Sequence, residues 1–253
     1  MFKALRSQIT VISALTIRGM QSAGRKLNYG YAWTFVQPIV MIAFFRVMMR
    51  VTGLAPAGMG VTTFLVLGTM GIFTFSSAMS ISMKPPKRGL SVIPRVTVLD
   101  MFLAQGILVF ITYDLLFWLF VIPASLYDGD WPPQNAFGVQ AIFIADWLLG
   151  LSFAIVFNAI SRIFPPASEF KKMLVRPIRL ISGMFFVITS IPTFLWPWFT
   201  WNPVMHVCEL LRSYWFVTYV TPIGSFTYVM VWVAALAVLG LTLERYVRRM
   251  IFE

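Results

Sequence analysis

Long apolar stretches recur along this chain, and nearly all of its basic residues fall into alternate gaps between them. A membrane span needs about 20 mostly apolar residues to cross a hydrocarbon core. Six stretches meet that requirement: Tyr31–Val51, Val61–Met83, Met101–Tyr127, Phe137–Ile160, Ile178–Leu195 and Pro222–Leu243. With 59% hydrophobic and only 11% charged residues, the chain lacks the polar surface of a soluble domain of 253 residues. The pattern predicts an all-α integral membrane protein with six transmembrane helices, read as a single domain over residues 1–253. Within it, residues 1–28 form a cytoplasmic segment, 31–243 the bundle and 244–253 a cytoplasmic tail.

The charges set the expected orientation. Seventeen of the 20 Lys and Arg residues lie in the N-terminal segment, the second gap, the fourth gap and the tail. Arg46, Arg50 and Arg212 are the exceptions. By the positive-inside rule those four segments, and so both termini, are cytoplasmic. Asp128, Asp130 and Glu209 then fall on the opposite side. The net charge of +11 is accounted for by orientation and contact with anionic lipid, without nucleic acid. Residues 2–20 interleave Lys3, Arg6 and Arg18 with Phe2, Leu5, Ile9, Ile12 and Leu15 at helical spacing. This is the pattern of an amphipathic helix lying in the interface, and it is not that of a cleaved leader.

Two segments break the regular pattern. The second gap, Met83-Lys84-Pro85-Pro86-Lys87-Arg88, ends its span on paired prolines and leads to Arg95. The stretch Ile191–Thr221 holds Pro192, Trp196, Pro197, Trp198, Trp201, Pro203 and Trp215. It is too apolar for an exposed loop and too broken by proline for a span. Irregular backbone at membrane depth needs protein or a water-filled cavity around it. Short re-entrant helices between the fifth and sixth spans are therefore expected, with a surface aromatic belt as the alternative.

Candidate chemistry is sparse. Gly19–Lys26 approaches a phosphate-binding loop, but Arg25 separates Gly24 from Lys26, and Leu27 stands where Ser or Thr is required. No ATP binding by this chain is expected. One Cys (Cys208) and one His (His206) cannot make a disulfide or a metal cage. No nucleophile–base pair or grouped cytoplasmic carboxylates are present, so this chain is not expected to be an enzyme. His206, Glu209 and Arg212 share one helical face, where Glu209 and Arg212 are positioned to pair.

Arg46, Asp114 and Asp146 are ionisable groups inside spans, which are costly and face the bundle interior or a water-filled path. At 1.5 Å per residue, Arg46 lies about 21 Å from Ala32, Asp114 about 20 Å from Met101 and Asp146 about 14 Å from Phe137. All three thus come to similar depths. Arg46 is expected either to pair with Asp114 or Asp146, or to line an anionic path together with Arg50.

Three stretches stand out in order along the chain: Leu27-Asn28-Tyr29-Gly30-Tyr31-Ala32-Trp33 with Gln37-Pro38, Ile181-Ser182-Gly183-Met184-Phe185-Phe186 before Ile191-Pro192, and Trp201-Asn202-Pro203 with His206, Glu209 and Arg212. With the order of the features above, they resemble the permease subunit of ABC-2 type polysaccharide exporters, most closely the capsule branch. The resemblance extends over essentially the whole chain. It implies a homodimer in the bacterial inner membrane, each copy bound to a separate ATPase subunit that holds ATP and Mg, with no cofactor in this chain. It further implies a periplasmic adaptor, an outer-membrane export protein and a lipid-linked acidic polysaccharide as cargo. By resemblance, Lys84, Pro85, Lys87, Arg88 and Arg95 would couple to the ATPase, and Pro165–Arg176, with Glu169 and Lys171, offers a second contact. The re-entrant stretch would be an external gate. Arg18, Arg25 and Lys26 would draw in an anionic glycan at a lateral entrance. Trp33, Phe44, Phe45, Phe185, Phe186, Trp196 and Trp198 would offer aromatic faces along the path. Related exporters of O-antigen, teichoic acid or other lipid-linked cargo are nearer alternatives. A twin-arginine-type protein-export receptor and a membrane enzyme acting on lipid-linked sugars are more distant ones.

Overall fold

The computed structural model describes residues 11–17, 29–53, 58–83 and 97–252. Among them the secondary structure is helical, with no strand. Residues 11–17 form a helix, α1. There follow α2 (Tyr29–Thr52), α3 (Val61–Ser80), α4 (Val98–Asp128), α5 (Ala136–Ile163), α6 (Ala167–Ile181), α7 (Trp196–Thr200), α8 (Pro203–Trp215) and α9 (Phe226–Phe252). Two 3₁₀ turns, Ile188–Ser190 and Thr193–Leu195, lie between α6 and α7.

Among the described residues five helices, α2, α3, α4, α5 and α9, are long and apolar enough to cross a membrane. They correspond to five of the six stretches expected from hydropathy. The remaining one, Ile178–Leu195, is not a continuous helix, and this corrects the sequence reading. α6 ends at Ile181, and Gly183 follows in the left-handed region at φ 71°. That conformation terminates a helix, and glycine adopts it without a Cβ penalty. Pro192 then keeps the first 3₁₀ turn from continuing as a helix, since it has no N–H to donate back to Ile188.

α3 is the central helix, packed against α2, α4, α5, α6 and α8. It is apolar on all sides, the signature of a helix enclosed by others, and from Thr63 to Ser76 every residue is buried. Glycines allow its neighbours to approach closely. A Cβ on Gly68 would stand 2.5 Å from the Met184 carbonyl oxygen, and one on Gly150 of α5 would stand 2.6 Å from the Phe75 carbonyl oxygen.

The start of α3 is capped from a distant loop. Asp128, at the end of α4, accepts from the Thr63 N–H at 2.8 Å and from the Thr62 and Thr63 hydroxyls, while Asp130 accepts from the Gly60 N–H at 2.9 Å. A helix N-terminus leaves its first N–H groups without internal partners and favours negative charge there. The two acids supply both needs and tie the α2–α3 turn to the α4–α5 loop. Burial raises the Asp130 carboxyl above its ordinary range; the Gly60 N–H opposes the rise and the nearby Asp128 charge adds to it. Asp128→Ala is expected to lower stability by about 1–2 kcal/mol, as for loss of an N-cap. Denaturation midpoints in detergent would measure it. Asp130→Ala, which removes one bond, should cost less, and equal losses would contradict this division.

Candidate functional site

The segment between α6 and α9 is pinned from α8, whose residues build an anchor for irregular backbone. Asn202 caps α8, accepting from the Val204 N–H at 3.0 Å, and donates to Ser182 Oγ at 2.9 Å. Pro203 sits in the first turn, where its missing N–H is not needed. His206 Nε2 contacts the Thr200 carbonyl oxygen at 2.7 Å, and its ring packs on Tyr228, whose hydroxyl donates to the Trp201 carbonyl.

One and two turns further along, Glu209 and Arg212 are fully buried, with Glu209 Oε1 3.9 Å from Arg212 Nη1. Each does more than face the other. Arg212 donates to the Phe186 carbonyl at 2.7 Å and to the Met184 carbonyl at 2.9 Å, and its guanidinium lies 3.8 Å from the centre of the Phe64 ring. Glu209 accepts from the Ile188 N–H at 3.0 Å, from the Thr221 hydroxyl at 3.0 Å and from the Tyr219 hydroxyl. The pair thus satisfies backbone that helix termination at Gly183 leaves exposed, and holds the loop that enters α9. Unpaired buried amides would otherwise cost on the order of 1–3 kcal/mol each.

The expected pairing of Arg46 with Asp114 or Asp146 does not form, because similar depth does not bring different helix faces together. Asp114 accepts from Gln140 Nε2 at 2.8 Å, and Gln140 in turn accepts from Trp118. Asp146 is enclosed on α5, on the side that packs against α3. Arg46 instead stacks over Tyr127, 4.8 Å from the ring centre, with no acid at ion-pair distance among the described residues. Together with Arg50, Val61, Tyr127 and Asp128 it lines an open cavity of about 390 Å³ at the capped end of α3.

The aromatic candidates divide. Phe185 stacks on Phe45 of α2, Phe44 meets Phe45 edge-on, and Phe186 meets Phe199 edge-on. Trp196 is held by a 3.0 Å bond to the Ile191 carbonyl, whereas Trp198 and Trp33 are exposed. At the other end of the bundle, Lys171 is buried and donates to the Ile81 carbonyl at 3.2 Å, so α6 is fastened to the end of α3. Burial, and then the neighbouring Lys172, pushes the Lys171 ammonium down to about 8. Glu169 is exposed and pairs with Lys172 at 2.7 Å. Arg18, Arg25, Lys26, Lys84, Pro85, Lys87, Arg88 and Arg95 lie outside the described residues. Ser182, which the sequence marked only within the Ile181–Phe186 stretch, completes the anchor with Tyr219, Thr221 and Tyr228, which were not singled out from the sequence. Their roles come from contacts across loops, which no local pattern marks.

Comparison with known proteins supplies the family. The model of the ABC-2 type transporter family matches residues 10–216. The chain is 23% identical over 244 residues to the polysialic acid transport protein KpsM of Escherichia coli, covering 94% of this chain and 93% of that protein. It is 24% identical over 249 residues to the capsule polysaccharide export inner-membrane protein BexB of Haemophilus influenzae, covering 96% and 93%. A family match over most of the chain, joined by relatives of matching length, shows that the chain belongs to the ABC-2 type transporter family.

Proposed function

We propose that this chain is the membrane-spanning permease of an ATP-driven exporter that moves a lipid-linked acidic capsular polysaccharide from cytoplasm to periplasm. The observation that carries the reading is the end-to-end relationship to two proteins named for polysialic acid transport and capsule polysaccharide export. The alternate charge pattern supports a placement in the bacterial inner membrane with both termini cytoplasmic. ATP and Mg would be held by a separate ATPase subunit, two copies serving a permease homodimer. A periplasmic adaptor and an outer-membrane protein would continue the route.

Each part of the chain then has a task. Lys84, Pro85, Lys87, Arg88 and Arg95 would receive the movement of the ATPase, and Lys171, fastened to the end of α3, would pass it to the central helix. Arg18, Arg25 and Lys26 would attract the glycan at a lateral entrance near Trp33. The turns and short helices pinned by Glu209 and Arg212 would form a re-entrant gate bearing Trp196 and Trp198. Arg46 and Arg50 would meet the anionic chain in the cavity beside Tyr127. A long chain must move in steps, so its contacts must be individually weak.

The test is purification of the intact complex in mild detergent, followed by mass spectrometry and by assay of surface glycan in cells lacking the chain. An ATPase should co-purify in equal numbers, and surface glycan should return only with an intact chain and a hydrolysing ATPase. If no ATPase is captured even after crosslinking through Lys84 and Lys87, the exporter reading fails.

A further inference from the structure

α6 carries a cation that the charge pattern accounts for only as an orientation signal. Arg179 is half-buried, with Nε donating to Ser76 Oγ at 3.2 Å and the guanidinium carbon 5.0 Å from the centre of the Phe73 ring. Both of these contacts are on α3, and Tyr113 of α4 is an electrostatic neighbour of the same guanidinium. No acid lies at ion-pair distance from it among the described residues. An arginine has five N–H donors in a planar fork. Here only Nε has a protein acceptor among the described residues, so the four donors on the two Nη atoms are left for another ligand.

The settings of Arg179 and Arg46 match. Each guanidinium rests against one aromatic ring, and neither has an acid at ion-pair distance among the described residues, although Asp128 also lines the Arg46 cavity. An aromatic face fixes the plane of the fork without consuming its donors. Arg212 is the contrast: it also lies over a ring, but both of its Nη groups donate to carbonyls and it faces Glu209. The two open arginines also touch α3 on neighbouring faces. The Arg46 cavity includes Val61, and Arg179 is bonded to Ser76. Those α3 positions are about 22 Å apart along the helix and about 60° apart around it.

We propose that Arg179 is a second anion-binding position, further along α3 from the Arg46–Arg50 cavity, and that it takes a carboxylate or phosphate group of the exported glycan. The inference rests on the exporter reading above and deepens it. A guanidinium oriented by a ring and a hydroxyl, but not neutralised by an acid, holds an anion by charge-assisted bonds and releases it when the next one arrives. Two such positions at different depths would let a polyanion keep one contact while changing the other.

The test uses the full chain with its ATPase partner in nanodiscs, titrated with a fluorescent oligouronate and, separately, with a neutral dextran oligomer. One set of discs is zwitterionic and the other contains anionic lipid. Arg179→Gln should weaken oligouronate binding about tenfold, and Arg179→Lys by about threefold, from loss of charge-assisted bonds. Dextran binding should not change, and the result should be the same in both discs. Ser76→Ala, which leaves the charge but frees its fork, should weaken oligouronate binding by about threefold, and it serves if Arg179→Gln does not fold. Wild-type affinity in Arg179→Gln overturns the inference. So does a loss confined to anionic discs, which would identify a lipid headgroup as the ligand. If Arg46→Gln weakens binding while Arg179→Gln does not, the acidic-cargo reading stands and this inference alone falls. If the unaltered complex binds dextran and not oligouronate, both fall.

Discussion

Arg212→Met is expected to lower stability by about 3–5 kcal/mol, the usual cost of removing one partner from a buried ion pair, and to abolish export. The side chain is fully enclosed, so water cannot replace it. Its removal strips the Met184 and Phe186 carbonyls of their donors and leaves the buried Glu209 without its basic partner. Glu209→Gln should be milder, at about 1–3 kcal/mol. Glutamine keeps one oxygen for the Ile188 N–H and changes only the group facing Tyr219 and Thr221. The double variant should lose less than the two single losses added, because Arg212→Met then leaves no uncompensated charge. Thermal unfolding of the four proteins in one detergent would measure the cycle. Strict additivity would show that the two residues act on separate parts of the segment. Arg212→Lys separates anchoring from charge alone: a lysine cannot span two carbonyls as the planar fork does, so it should restore little of the stability.

The same contacts explain where sequence reasoning succeeded and where it stopped. α2, α3, α4, α5 and α9 were legible because a span must satisfy its own backbone and cover its length with apolar side chains, both local properties. Ile178–Leu195 has the same local appearance and a different fate. Its backbone is satisfied by Glu209 and Arg212, more than twenty residues further along. The signs available locally were Gly183 and the spacing of Glu209 with Arg212. The spacing suggested a pair, but not that the pair's main partners would be main-chain groups. Depth arithmetic placed Arg46, Asp114 and Asp146 at one level. It carried no information on which way each helix turns, and Gln140 and Tyr127 took the partners' places. Asp128 and Asp130 were read only as charges on one side of the membrane. Their role as caps of α3 depends on two loops meeting across 65 to 70 residues.

Two glycines one turn apart on α3 should respond to alanine with opposite signs. Replacing glycine by alanine inside a helix ordinarily stabilises it by about 0.5–1 kcal/mol. At Gly71 the added Cβ would meet Leu211 Cδ1 at 3.2 Å, the far end of a side chain that can turn aside. Gly71→Ala is therefore expected to be slightly stabilising. At Gly68 the added Cβ would stand 2.5 Å from the Met184 carbonyl oxygen and 2.7 Å from Arg212 Nη2. Neither can yield freely, since they are bonded to each other at 2.9 Å. α3 must move away or that bond must break, so Gly68→Ala should destabilise by about 3 kcal/mol, at the upper end for overpacking. Gly68→Val should not fold. Unfolding midpoints of the two alanine variants, measured side by side, decide the matter. If Gly68→Ala proves as stable as Gly71→Ala, the 182–190 segment does not press on α3 as described. Arg212 would then need another explanation for its place in the core. If the opposite signs are found, the close approach at Gly68 is what admits the Arg212 fork between α3 and the broken segment. The glycine and the arginine would then form one device, and restoring bulk at the first would undo the second without touching its charge.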